Sequence, residues 1–121
     1  MLGIELDDVQ PGRASLRMRV SEQMVNQHGL AHGGIIFLLA DAAFAYACNS
    51  HGPVALAQGA QVAYLRPARP GDVLAAEAAE RTRYGRGGVY DVTVRRGGAV
   101  IAEFRGHSVT LDPRPGGGGD D

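Results

Sequence analysis

The longest apolar run of the chain, Ile35 to Cys48, is interrupted by a single charged residue, Asp41. An unpaired, ionised carboxylate taken into apolar surroundings loses several kcal/mol of hydration, so this one must be paired, protonated or turned toward a pocket. Desolvation raises the pKa of such an acid and leaves it poised for nucleophilic or acid/base chemistry. The run is rich in Ala and Leu, about four turns long, and stops at the turn cluster Asn49-Ser50-His51-Gly52-Pro53. It predicts a central helix over 35–48 with no solvated face. Spanning a bilayer takes about 20 apolar residues, so the run belongs inside protein.

The flanking segments read as strands. Ala14 to Val20 alternates apolar and polar residues with the period of a half-buried strand. Asn26-Gln27-His28-Gly29-Leu30-Ala31-His32-Gly33-Gly34 is a glycine-rich loop leading into the helix. After the helix come Val54 to Arg66, the turn Pro67-Ala68-Arg69-Pro70-Gly71-Asp72, and Val73 to Tyr84. Gly85-Arg86-Gly87-Gly88 is read as a further turn. Tyr90, Val92 and Val94 alternate with Asp91, Thr93 and Arg95, and Gly97-Gly98 turns the chain into a last strand near Ala99 to Leu111. Hairpin connections make these neighbours antiparallel.

A small sheet cannot cover a helix that is apolar all round, so the uncovered side calls for a partner subunit. The expected class is α+β, a curled antiparallel sheet wrapped around one long helix, which is the hot-dog arrangement. An open α+β roll and a cystatin-like sheet with its helix laid across are the other architectures of this pattern. The expected division is one domain over 1–112 and a disordered glycine-rich tail over 113–121, in keeping with a chain of 121 residues.

Composition closes off several functions. A net charge of −1 with interspersed signs lacks the basic stripe of a nucleic-acid binder. All 12 basic residues are Arg, which excludes a lysine Schiff base. One cysteine, Cys48, permits no intrachain disulfide and fits a reducing compartment. With no signal-like N-terminus, the expectation is a soluble, cytoplasmic protein.

His32-Gly33-Gly34-Ile35-Ile36-Phe37-Leu38-Leu39-Ala40-Asp41 resembles the HGG-x-x-F-x-L-A-D signature of hot-dog thioesterases. Ala43 to Ser50 extends the likeness to their phenylacetate-pathway, PaaI-like branch. Tyr64-Leu65-Arg66-Pro67, Gly71-Asp72, Gly88-Val89-Tyr90-Asp91 and Phe104-Arg105-Gly106-His107-Ser108 agree in order, so the resemblance runs from about Val20 to Val109. It implies that Asp41 attacks the thioester or activates the attacking water, two uses the sequence leaves open. It also implies that the Gly33 N–H, at a helix start where amides lack intrahelical partners, holds the developing oxyanion. Asn26 and His32 are carried over as polar companions; each also has an ordinary role, Asn26 as a turn residue and His32 as a structural hydrogen-bonder. The stretch Ala57 to Gln61 carries no hydroxyl where some relatives place a Ser or Thr.

Gly33 and Asp41 are eight residues apart, about 12 Å along a helix, yet both must act on one carbonyl. Two antiparallel helices related by a two-fold axis solve this, with Asp41 of one protomer facing Gly33 of the other. The resemblance implies the same: a homodimer with sites at its interface, pairing further into a homotetramer. Coenzyme A phosphates call for a basic rim, and Arg83, Arg86, Gly87 and Gly88, with Gly34 at the helix start, are the candidate substrate-binding residues. Solvated arginines on strand faces are the ordinary alternative. His28, His32, Cys48 and His51 lie near Asp41 in sequence, but the intervening glycines spoil one-face presentation, so no metal and no other cofactor is expected. The resulting expectation is an acyl-CoA thioesterase acting on phenylacetyl-type substrates. Its rivals are a hot-dog enoyl-CoA or acyl carrier protein hydratase or dehydratase, and a non-catalytic acyl-CoA binder.

Overall fold

The computed structural model describes residues 3–111, and the expectation for 113–121 lies outside them. Six strands, β1 (Glu5–Gln10), β2 (Arg13–Arg19), β3 (Ala55–Tyr64), β4 (Val73–Tyr84), β5 (Gly87–Arg96) and β6 (Ala99–Thr110), accompany one long helix, α1 (Gly33–Cys48). They form a single antiparallel sheet in the order β1-β2-β4-β5-β6-β3. A short 3₁₀ turn, Glu22–Met24, precedes the glycine-rich loop.

The core follows from strand alternation. Leu16 and Met18 of β2, Leu74, Ala76 and Ala78 of β4, Tyr90, Val92 and Val94 of β5, and Phe104 of β6 all point at α1, which answers with Ile36, Leu39, Ala40, Ala43, Phe44 and Ala47. Phe44 sits edge-on to Tyr90 with ring centroids 5.7 Å apart. Gly106 of β6 lies under it, where an added Cβ would stand 2.7 Å from the Phe44 ring. The sheet can therefore close on the helix at this point because a glycine faces the buried Phe44 ring. This is the helix-in-curled-sheet architecture expected from the sequence.

The helix ends are defined by different devices. At its start His32 is extended and makes no side-chain cap. At its finish Asn49 donates from Nδ2 to the Ala45 carbonyl at 2.9 Å and to the Ala55 carbonyl at 3.1 Å, and its Oδ1 accepts the Ala55 amide at 2.8 Å. One side chain thus closes the helix and starts β3.

Strand ends shift by one or two residues from the sequence expectation, and three differences bear on the site. The helix begins two residues earlier, at Gly33. Gly87 and Gly88 already belong to β5, leaving Gly85-Arg86 as a two-residue hairpin loop, with Gly85 at φ 53°, a backbone region that favours glycine. β1 is an addition to the expected strands, because every residue of Glu5–Gln10 is exposed and a bulge between Leu6 and Asp8 breaks its alternation. The side of α1 that the sequence leaves for a partner subunit is uncovered within one chain: Gly34, Leu38, Ala45 and Tyr46 are exposed, and Asp41 and Ala42 are partly so. Among the described residues no helix is long and apolar enough to cross a membrane.

Candidate active site

The first turn of α1 is held from two directions. The Ala31 amide donates to the Ala68 carbonyl at 2.8 Å and the His32 amide to the Met24 carbonyl at 2.9 Å, fixing the chain as it enters the helix. The His32 carbonyl then accepts the Ile35 and Ile36 amides at 3.0 and 3.4 Å. Between them, the amides of Gly33 and Gly34 donate to no group among the described residues. Two N–H groups at the positive end of a sixteen-residue helix, with no side chain on either residue, have the chemistry to receive an anionic oxygen.

Gly33 faces a groove of about 330 Å³ that it lines together with Asn26, Leu30, Ile36, Tyr64, Leu65 and Arg66. Asn26 shapes the wall of this groove. Its Oδ1 accepts the His28 amide at 2.9 Å and the Leu30 amide at 3.2 Å, and its own amide donates to the Leu30 carbonyl at 2.8 Å. The carbonyl oxygen of this side chain is thus committed to the loop, an Asx-type closure that stiffens the approach to Gly33. The His32 side chain is exposed beside the helix start.

Asp41 is partly buried and makes no hydrogen bond or ion pair among the described residues. It sits with Gly34, Leu38 and Ala45 on one stripe along the uncovered side of α1, the spacing of a single helix face. Burial raises its carboxyl pKa above the ordinary 3.8. Two turns further on, burial and then the charge of Asp41 push the Cys48 thiol up to about 11, against a hydrogen bond to backbone that lowers it. Cys48 is therefore a neutral thiol at physiological pH and a poor nucleophile.

The remaining predicted residues gather elsewhere. Arg83, Gly87 and Gly88 line a hollow of about 10 Å³, room for one water, with Cys48, His51, Tyr90 and Ser108 at the C-terminal end of α1. Packing explains both glycines: a Cβ would stand 2.6 Å from the Tyr84 ring at Gly87 and 2.8 Å from Ser108 Oγ at Gly88. The Arg86 carbonyl accepts the Thr110 amide at 2.7 Å in the adjoining loop. Within one chain, then, Asn26 and Gly33 share a groove, while Arg83, Gly87 and Gly88 lie at the far end of a helix about 24 Å long.

A wider hollow, about 690 Å³, lies on the sheet face away from α1, between Gln61, Arg81, Asp91, Thr93 and Arg105. Its charges are already engaged: Arg105 donates twice to Asp91 at 2.7 and 2.9 Å, and Arg81 approaches the same carboxylate at 3.4 Å. With no nucleophile and no free donor pair, this surface lacks the chemistry present at the helix start. Among the described residues no group of three or more His, Cys, Asp or Glu is arranged to hold a metal.

Tyr64 is the site residue that sequence reasoning passed over. Its hydroxyl donates to the Gly33 carbonyl at 2.9 Å, across 31 residues of chain. The signal was an aromatic residue closing a strand just before Leu65-Arg66-Pro67, but only the fold shows that this strand end meets the helix start.

The sequence pattern of the thioesterase superfamily matches residues 28–102. The acyl-coenzyme A thioesterase PaaI of Escherichia coli strain K12 is 44% identical over 108 residues, which span 88% of this chain and 77% of that protein. The solved structure of the E. coli PaaI protein from the phenylacetic acid degradation operon superposes with a TM-score of 0.89 at 42% identity, covering 92% of this chain and 81% of that one. The TT0310 protein of Thermus thermophilus superposes with a TM-score of 0.88 at 37% identity, covering 91% and 93% of the two chains. A glycine-opened helix with a lone carboxylate, carried in this sheet and aligned over this length, means that the chain belongs to the thioesterase superfamily and is a PaaI-like thioester hydrolase of hot-dog fold.

Proposed function

We propose that the protein hydrolyses aromatic acyl-CoA thioesters, of the phenylacetyl or hydroxyphenylacetyl type, to the free acid and coenzyme A in the cytoplasm. The observation that carries this reading is the pairing on one helix of two amides, Gly33 and Gly34, with a partly buried carboxylate, Asp41, none of which has a hydrogen-bond partner among the described residues. The thioester oxygen is received by the amide pair, and Asp41 delivers the nucleophile, either as its own oxygen or as a water it deprotonates. The C–S bond breaks, the thiolate leaves on coenzyme A, and water supplies the oxygen of the acid and the proton of the thiol. The name of the E. coli relative, an acyl-coenzyme A thioesterase, supports the coenzyme A part of the substrate.

The separation of Gly33 and Asp41 along α1 favours a site assembled from two chains. The uncovered apolar stripe of α1 and the exposed edge strand β3, where Leu56 and Tyr64 are each about half exposed, are the surfaces a second protomer would cover. An antiparallel helix pair places the far end of one helix near the start of the other. Arg83 and the Arg86 loop of the partner would then stand within reach of the groove at Gly33, as a basic rim for the coenzyme A phosphates. Two such dimers forming a tetramer is the assembly proposed.

Thiol release from a panel of aryl and alkyl acyl-CoA esters tests the reading, with water addition to an enoyl-CoA run alongside. Preferential hydrolysis of phenylacetyl-type esters is the expected result. Hydration of the enoyl ester without thioester cleavage, or binding without turnover of any ester, would refute it.

A further inference from the structure

Resting on the thioesterase reading above, we infer that Tyr64 is a positioning residue for hydrolysis: its hydroxyl holds the Gly33–Gly34 peptide in the orientation that receives the thioester oxygen. Tyr64 is the last residue of β3, paired with Ala102 of β6. Immediately beyond it, the amides of Leu65 and Arg66 both donate to the Ile101 carbonyl, at 2.8 and 3.2 Å. The backbone that carries Tyr64 is thus tied to β6 by its strand pairing and by these two bonds, even though the residue is 49% exposed. From that anchor the side chain reaches over to the helix start and ends in a 2.9 Å hydrogen bond to the Gly33 carbonyl.

The contact is steric as well as polar. A Cβ on Gly33 would stand 3.2 to 3.5 Å from Cζ, Oη and Cε1 of Tyr64, so the ring lies directly against the glycine. A side chain at Gly33 would crowd this ring and require it to shift by a few tenths of an ångström.

A helix that opens on two successive glycines needs such a tether. Glycine has the widest backbone freedom of any residue, helix ends fray, and His32 offers no side-chain cap. Among the described residues Tyr64 makes the one side-chain hydrogen bond to the first turn. The carbonyl of Gly33 and the amide of Gly34 belong to the same peptide unit. A donor on the oxygen fixes that unit's plane and draws charge from its N–H, and hydrogen bonds in chains strengthen one another by roughly 10–30% each. Donors that are already aimed stabilise an oxyanion without reorganising as charge develops, so the benefit falls on the transition state more than on bound substrate.

The test is Tyr64→Phe in the full chain, which keeps the ring against Gly33 and removes only the hydroxyl. With an ester that the wild-type protein cleaves, kcat is expected to fall about tenfold while KM stays within about twofold. Aryl and alkyl esters should lose the same factor, because the effect acts at the carbonyl they share. The melting temperature should change little, since the ring is kept and a single hydrogen bond contributes modestly to net stability. An unchanged kcat overturns the inference. So does a loss confined to KM or one that varies with the acyl group, since either makes Tyr64 a wall of the acyl groove. A wild-type protein that cleaves no acyl-CoA overturns the thioesterase reading itself, whereas an active wild type with an equally active Tyr64→Phe variant overturns the positioning role alone.

Discussion

Replacing Asp41 with Asn tests the proposed catalytic role separately from folding, because the two are expected to respond in opposite directions. Among the described residues Asp41 has no hydrogen-bond or ion-pair partner, and burial raises its pKa above 3.8. The folded state consequently holds a proton there more tightly than the unfolded state does. The stabilising effect of that proton is fully present below the unfolded pKa and is lost as pH rises through the folded one. At neutral pH the wild-type protein therefore carries the cost of a partly desolvated charge, and Asp41→Asn, of nearly equal shape, does not. The variant should melt higher than wild type at pH 7, with the difference shrinking toward zero as the pH falls to about 3. Hydrolysis should move the other way. An amide neither attacks a thioester nor deprotonates water, and a loss of at least about a hundredfold in kcat corresponds to about 2.7 kcal/mol of transition-state stabilisation. Thermal melts across pH, with thiol release measured on the same preparations, check both halves. Turnover within tenfold of wild type would refute the catalytic role. A lower melting temperature at pH 7 would show that the carboxylate has a stabilising partner, and the desolvation argument would fail.

Two further substitutions test the scaffold. Gly106→Ala places a methyl group 2.7 to 2.8 Å from the Phe44 ring and should cost about 1–3 kcal/mol in denaturant unfolding, as overpacking does, with turnover per folded molecule retained. Glu80→Ala strips Oε1 from His51 Nε2 at 2.7 Å and from the Tyr90 hydroxyl at 3.3 Å; leaving two partly buried polar groups unpaired should lower stability by about 1–3 kcal/mol, read in the same assay.

Where side-chain periodicity reports burial, the sequence and the structure agree. β4 keeps the bounds read from its strand character and flanking turns, and the bounds of α1 differ only at its first two residues. Both elements pack their apolar side against the core, so the pattern has a physical cause that local reading can detect. β1 has no core face, and its six exposed residues carry no such signal. Gly87 and Gly88 read as a turn on composition alone; their small size answers to Tyr84, Ser108 and Tyr90, contacts made by strand pairing that sequence spacing does not encode. The same limit hides Tyr64 and the His51–Glu80–Tyr90 cluster, whose partners lie 10 to 31 residues apart. Asp41 and Gly33 are legible because they sit on one helix, where spacing converts directly to distance. Asn26 is half legible: its type suggests either loop or site, and the structure commits its Oδ1 to the loop.

The spacing of Gly33 and Asp41 also yields the sharpest test of a site built from two chains. Suppose each site takes its amide pair from one protomer and its carboxylate from the other. Gly33→Val fills the approach to the amide, and Asp41→Asn removes the carboxylate, so each homodimer should be inactive. A heterodimer of the two variants has one site carrying both changes and one site carrying neither. With random pairing about half of all dimers are mixed, and each has one intact site of two, so co-expression should restore about a quarter of wild-type activity. If Gly33 and Asp41 of the same chain served one carbonyl, every site in every dimer would contain a change and mixing would restore nothing. Recovered activity near a quarter therefore requires the shared site, and its absence, with mixed dimers demonstrated by mass, rules it out.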